Sequence, residues 1–299
     1  MTSTYHANGK LLLTSEYFIL DGAIGLALPT KFGQTLTVEP SVEKGIFWKS
    51  IDNENKTWFE VNLNEQLEIL STTNQEIALT LKNILSHCSL TNFNVQLTTR
   101  LDFPQNWGLG SSSTLISLLA QWTNANPYEL LTKTFGGSGY DIACATAKQH
   151  ISYQRISNQS LPISNTIAFL PPFSNQLYFL HLNQKQNSRE GIQHYRSLPM
   201  DKTDIIEQLN ELTFKIIHAI NFYELCHYLE VHENVISNAL QLEKVKDRLF
   251  PDFPGTIKSL GAWGGDFVLV ADDDEPENVQ HYFQSKGYHT LIPYQKMIL

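Results

Sequence analysis

The chain has 299 residues, 42% hydrophobic and 17% charged. That is enough for one large domain or two of ordinary size, and it excludes a disordered chain. A net charge of −9 argues against general nucleic-acid binding. No apolar run approaches the roughly 20 residues that cross a bilayer, residues 1–6 do not have the basic flank and apolar core of a signal peptide, and Cys88, Cys144 and Cys226 form neither a disulfide framework nor a metal motif. A cytoplasmic protein with reduced thiols is expected, without membrane or nucleic-acid partners, acting on a small molecule as a monomer or homodimer.

The first half reads as mixed α and β. Residues 11–13 are a short apolar run that suits a buried strand, and residues 34–38 alternate up to Pro40, as a half-exposed strand does. Residues 47–49 and 57–63 flank a polar turn and predict a hairpin. Ile77, Leu81, Ile84 and Leu85 predict a helix that Thr73 or Asn74 can cap. Residues 94–99 alternate again and lead into Pro104-Gln105-Asn106-Trp107-Gly108-Leu109-Gly110-Ser111-Ser112-Ser113-Thr114. Leu115, Leu118, Leu119 and Trp122 then mark one apolar face of a helix.

A strand, a Gly-rich turn and a helix in this order form the context of a phosphate loop. Glycines permit tight turns and close approach, and the first-turn N–H groups with the helix dipole attract anions. Read alone, the segment fits a Gly-Ser turn with an ordinary cap equally well.

Residues 151–154 and 177–182 read as strands, and residues 183–190 as a polar connection. Residues 203–220 and 222–242 carry long helical periodicity. Residues 267–270 form an apolar strand, 279–285 a short helix ended by Gly287, and 288–292 a last strand. The acidic run 272–275 reads as a solvated strand-to-helix turn rather than a metal site. A second α+β domain is expected to start somewhere near residues 165–200, taken as domains 1–165 and 166–299.

Three further segments are rich in glycine or charge: Ala7-Asn8-Gly9-Lys10 with Ser15-Glu16-Tyr17, then Gly136-Gly137-Ser138-Gly139-Tyr140-Asp141, then Gly261-Ala262-Trp263-Gly264-Gly265-Asp266. In order and spacing they resemble the motifs of the GHMP kinase superfamily, named for galactokinase, homoserine kinase, mevalonate kinase and phosphomevalonate kinase. The first is similar to A-P-G-K with G-E-[HY], the Gly-Ser loop to P-x-x-x-G-L-G-S-S, and the last to G-A-G-G-G. Glu16-Tyr17, residues 137–143 and Gly264-Gly265-Asp266 resemble the phosphomevalonate kinase branch most.

The resemblance implies an α+β, two-domain fold. Its N-terminal domain is like ribosomal protein S5 domain 2, its C-terminal domain is ferredoxin-like, and the active site lies between them. It implies ATP and Mg²⁺ as cofactors. The triphosphate is expected on Gly108, Leu109, Gly110, Ser111, Ser112 and Ser113, the metal on Ser112 with Glu129 as second candidate, and the acceptor at Glu16, Tyr17, Ser138, Gly139, Gly261, Ala262, Gly264 and Gly265. Asp141 is the expected catalytic base, and Lys10 offsets charge in the transition state. Asp266 reads as a strand-entry residue.

Asn8, Ser15 and Trp263 depart from the motifs, replacing proline, glycine and glycine. Two other readings on the same scaffold therefore stand beside a small-molecule kinase: an enzyme like diphosphomevalonate decarboxylase, and a catalytically degenerate nucleotide-binding protein.

Overall fold

The computed structural model describes residues 1–157, 160–169, 171–186 and 188–299. In chain order, β1 (Ser3–Leu12) pairs with the long β2 (Gly25–Pro40). Then come β3 (Ile46–Ile51), β4 (Thr57–Leu63), β5 (Ile69–Thr72), α1 (Gln75–Ser86), β6 (Val95–Leu101), α2 (Ser111–Thr123), α3 (Pro127–Lys133) and α4 (Tyr140–Thr146). The rest of the chain forms β7 (Ile151–Gln154), β8 (Ile163–Thr166), β9 (Leu177–His181), α5 (Ser188–Ser197), α6 (Thr203–Ile217), α7 (Phe222–Leu240) and α8 (Val245–Leu249), then β10 (Thr256–Ser259), β11 (Phe267–Ala271), α9 (Pro276–Ser285), β12 (Leu291–Pro293) and α10 (Tyr294–Met297).

Two compact units result, and their courses interleave. One comprises Met1–Gly9, Phe32–Gln105 and Leu109–Thr146; the other comprises Lys10–Lys31, Asn106–Gly108 and Ala147–Leu299.

In the first unit the strands run in the order β5-β4-β3-β6-β2, with β3 and β6 parallel and the remaining pairs antiparallel. Alternation turns Ile46, Trp48, Phe59, Val61, Val95 and Leu97 to one side. There they pack with Ile84 and Leu85 of α1, Ile116 and Leu119 of α2, Leu130 of α3 and Ile142 of α4. Buried Ser50 on the same side is satisfied by Trp48 Nε1 and the Thr99 hydroxyl. Asn74 caps α1 through the Ile77 N–H.

In the second unit β10-β11-β9-β12 form an antiparallel sheet. Every residue of β9 and β11 is buried, so both strands read as unbroken apolar runs rather than alternating ones. One cluster joins Tyr178, Leu180, Val268, Val270, Phe250 and Phe283; another joins Tyr17, Phe18, Tyr195, Leu209, Ile236, Leu240 and Trp263. Strand β7 pairs with Gly25–Ala27 of β2, and β8 lies beyond β7.

Part of the segment expected to be a polar connection is the start of α5 (Asn187 lies outside the described residues). Tyr195 is the one buried residue of that helix, too few for a periodic signal. The acidic run is a turn: Asp272 accepts the Asp274 N–H, and Asp274 accepts the Glu275 N–H at the entry to α9. Among the described residues no three His, Cys, Asp or Glu side chains form a metal cluster, and no helix is long and apolar enough to cross a membrane.

Candidate functional site

In the first unit the site is built at the start of α2. Gly108 and Gly110 have φ of 64° and 88°, a region L-residues avoid, and Leu109 between them is fully buried and fixes the turn. Gly110 is the N-cap of α2, so no side chain caps the helix. The first-turn N–H groups of residues 111–113 make this the positive end of a 13-residue helix. Ser112 is exposed there, whereas Ser113 turns inward.

The Ser113 hydroxyl donates to Asp141 Oδ2 in a short contact. Asp141 lies in the first turn of α4, which packs against α2, and its Oδ1 accepts the Ile142 N–H at 3.1 Å. The approach to Asp141 needs glycine: Gly136, Gly137 and Gly139 have φ of 68°, 106° and 86°. Ser138 is buried beside them. Asn8, the residue in place of proline, donates to the Cys144 carbonyl of α4 at 3.5 Å. Glu129 is exposed in the first turn of α3.

In the second unit Lys10, near the end of β1, donates to the Gly108 carbonyl at 2.9 Å. Thr14, Ser15 and Glu16 are wholly buried. Ser15 and Tyr17 have φ of 64° and 62°. The glycine of the related motif suits this conformation, and a serine there costs about 1 kcal/mol. Two bonds offset that cost: the Ser15 N–H donates to His232 Nε2 at 2.9 Å, and its hydroxyl donates to the Ile24 carbonyl at 2.7 Å.

Glu16 does not face solvent. Its carboxylate is in short contact with the Lys258 ammonium, which also reaches Glu233 at 3.4 Å. Glu233 accepts the Ser259 hydroxyl and N–H at 2.7 and 3.1 Å. Burial, reinforced by Glu233 and opposed by Lys258, pushes the Glu16 carboxyl up to about 7. Burial, then Lys258, holds His232 well below its ordinary value. His232 is therefore neutral, and its Nδ1, 3.8 Å from Glu16 Oε2, makes no ion pair.

These shifts set opposing pH trends. A raised carboxyl contributes stability that is complete below 4.5 and is lost as pH rises through about 7. A depressed histidine contributes stability that is present above 6.5 and is lost as pH falls below it. Between pH 5 and 8, denaturant unfolding of the native protein relative to Glu16→Gln is expected to lose on the order of 2 kcal/mol. A pH-independent difference would contradict this.

Tyr17 stacks on Tyr195 with ring centroids 5.8 Å apart, and the Tyr195 hydroxyl donates to Asp21, which also holds Lys202 at 2.9 Å. Trp263 is buried among Tyr17, Phe18 and Tyr195. It anchors the loop that carries it to α6 and α7 instead of projecting from it. Gly261 and Gly264 need their left-handed φ of 55° and 82°, Ala262 is half-buried between them, and Gly265 is pressed against Gln186.

Sequence reading missed His232, Glu233 and Lys258, because nothing local distinguishes a buried charge network from surface charge. It also missed the Ser113–Asp141 bond and the contacts of His181 and Asp266 with residues 106–108.

No family model matches the sequence, and no curated protein matches it. Solved structures do. The chain is similar to the Lin0012 protein from Listeria innocua (14% identity, 98% of this chain and 97% of that one, TM-score 0.75). It is similar to the Methanococcus jannaschii mevalonate kinase (15% identity, 98% and 97%, TM-score 0.72). It is also similar to the Streptococcus pneumoniae phosphomevalonate kinase solved with phosphomevalonate and AMPPNP (15% identity, 97% and 99%, TM-score 0.72). The chain has the mixed α and β fold of the GHMP kinases over nearly its whole length.

Proposed function

We propose that this chain transfers the γ-phosphoryl group of ATP to a hydroxyl or phosphate of a small metabolite of the mevalonate or phosphomevalonate kind. The observation that carries the reading is the bond from Ser113, in the uncapped first turn of α2, to Asp141 on a chain of this fold. Phosphoryl transfer requires positioning and charge neutralisation more than covalent chemistry, and amide dipoles beside a carboxylate supply both.

In this reading residues 108–113 hold the triphosphate through backbone N–H groups and serine hydroxyls. Lys10 offsets charge on the transferring group. Asp141 orients an acceptor hydroxyl and takes its proton; with a phosphate acceptor, already ionised, it positions only. The serine hydroxyls and the Asp141 carboxylate are hard oxygen donors of the kind Mg²⁺ takes. Ser112 would hold the ion, with Glu129 as a second ligand. When bound, Mg²⁺ neutralises charge on the phosphates. The acceptor is proposed to meet Tyr17, Ser138, Gly139 and the glycines of residues 261–265, with Glu16 supporting Tyr17 from inside the fold.

The test is ADP formation by the purified protein with ATP, Mg²⁺ and a panel of mevalonate, phosphomevalonate, homoserine and sugars. Turnover with one acceptor supports the proposal. Release of CO₂ assigns a decarboxylase. Nucleotide binding with no turnover on any acceptor, unchanged in Asp141→Asn, identifies a degenerate scaffold.

A further inference from the structure

Residues 106–108 lead into the Gly-Ser loop, yet they belong to the second unit. Three side chains of that unit hold them. His181, at the end of β9, accepts the Asn183 N–H at Nδ1 (3.3 Å), which leaves Nε2–H to donate to the Asn106 carbonyl at 3.2 Å. Trp107 packs edge-on against Phe267 with centroids 5.4 Å apart. Lys10 takes the Gly108 carbonyl. The fourth contact is the closest. A Cβ added at Gly108 would stand 2.0 Å from Asp266 Oδ2 and 2.1 Å from its Cγ, so the carboxylate rests against the glycine Cα. Asp266 is itself held: Oδ1 accepts the Gln186 N–H at 3.1 Å and its carbonyl accepts the Leu182 N–H at 2.9 Å.

We propose that Asp266 is a positioning residue for the nucleotide. Its carboxylate is wedged against Gly108 and fixed by the Gln186 N–H; it sets the path of the chain into the Gly-Ser loop and keeps the Lys10 ammonium on the Gly108 carbonyl. The steric part explains why residue 108 is glycine beyond its positive φ. The electrostatic part rests on charge: burial raises the pKa of the carboxyl and is opposed by the Gln186 N–H and by the nearby cations Lys10 and Lys185. An acid entering an anion-binding loop is unfavourable unless it organises a cation, and Lys10 is that cation.

This inference rests on the kinase reading, and its test separates the two. MgADP binding is measured by calorimetry, and kcat and KM for ATP are measured across pH, for the native protein, Asp266→Asn, Gly108→Ala, Asp266→Ala and the Gly108→Ala/Asp266→Ala pair. Asn retains an acceptor for the Gln186 N–H and nearly the same volume. Asp266→Asn is expected to unfold at nearly the native temperature, to weaken MgADP about tenfold, to raise KM for ATP more than it lowers kcat, and to move the alkaline limb of kcat/KM to lower pH as Lys10 loses its counter-charge. Gly108→Ala is expected to be severe alone and partly relieved by Asp266→Ala, the non-additivity of two residues in contact; the displaced pH limb and the KM-weighted loss in Asp266→Asn are what a purely steric role would not produce. Native-like binding and pH profile in Asp266→Asn, or additive effects in the pair, overturn the inference while leaving the kinase reading intact. A native protein that binds no MgADP overturns both.

Discussion

Replacing Asp141 with Asn is expected to lower the rate of ADP formation by about 10²–10⁴ if the acceptor is a hydroxyl, the usual contribution of a positioned general base. The substitution keeps the shape of the side chain. The amide oxygen can accept the Ile142 N–H, and the amide nitrogen then faces Ser113 and can donate to its hydroxyl oxygen, so a side-chain contact at the start of α2 persists with its direction reversed while the basic oxygen is lost. KM for ATP should stay within a few-fold. If the acceptor is a phosphate, no proton needs removing and the loss should be tenfold or less, so the size of the effect reports the acceptor class. Steady-state kinetics on the active acceptor decide it, and a native rate in Asp141→Asn would remove Asp141 from the mechanism.

Replacing Lys258 with Met should cost about 3–5 kcal/mol of stability, because it strands the buried carboxylates of Glu16 and Glu233 without their cation. Part of that loss should return in Glu16→Gln/Lys258→Met, where one of the two stranded charges is gone. By contrast, Lys56→Ala breaks an exposed pair with Glu54 and should leave the unfolding midpoint at its native value. Urea unfolding at pH 8 measures all three, read from the midpoint with the slope unchanged. A Lys258→Met protein of native stability would mean that the cluster is not held as an ion network.

The network also places the Ser15 departure. A serine at a left-handed position looks damaging when read against a glycine motif. In the fold its N–H and hydroxyl are both satisfied, by His232 on α7 and by the Ile24 carbonyl at the entry to β2. Trp263, also in place of a motif glycine, is similar: the structure buries the ring with Tyr17 and Tyr195. Neither accommodation is visible locally, because His232, Tyr17 and Tyr195 are all remote in the chain from the residues they accommodate.

Local chemistry was enough for much of the rest. Period-2 alternation marks β3, β4 and β6, period-3.6 apolar faces mark α1, α2, α6 and α7, and Asn74 announces the cap of α1. Strands β5 and β8 and helix α5 escaped because they bury almost nothing, and a hydrophobic period exists only where one side is buried.

From its residues alone this polypeptide declares where glycines free the backbone to turn tightly, which helix follows them, and which lysine and aspartate accompany those turns. These are properties of short segments, set by glycine's missing Cβ and by helix geometry. Only the tertiary structure decided that Ser113 rather than Ser112 takes Asp141, that Glu16 is sealed against Lys258, and that Asp266 rests on Gly108. Each of those pairings depends on burial and on distances between groups remote in sequence, and no segment carries that information by itself.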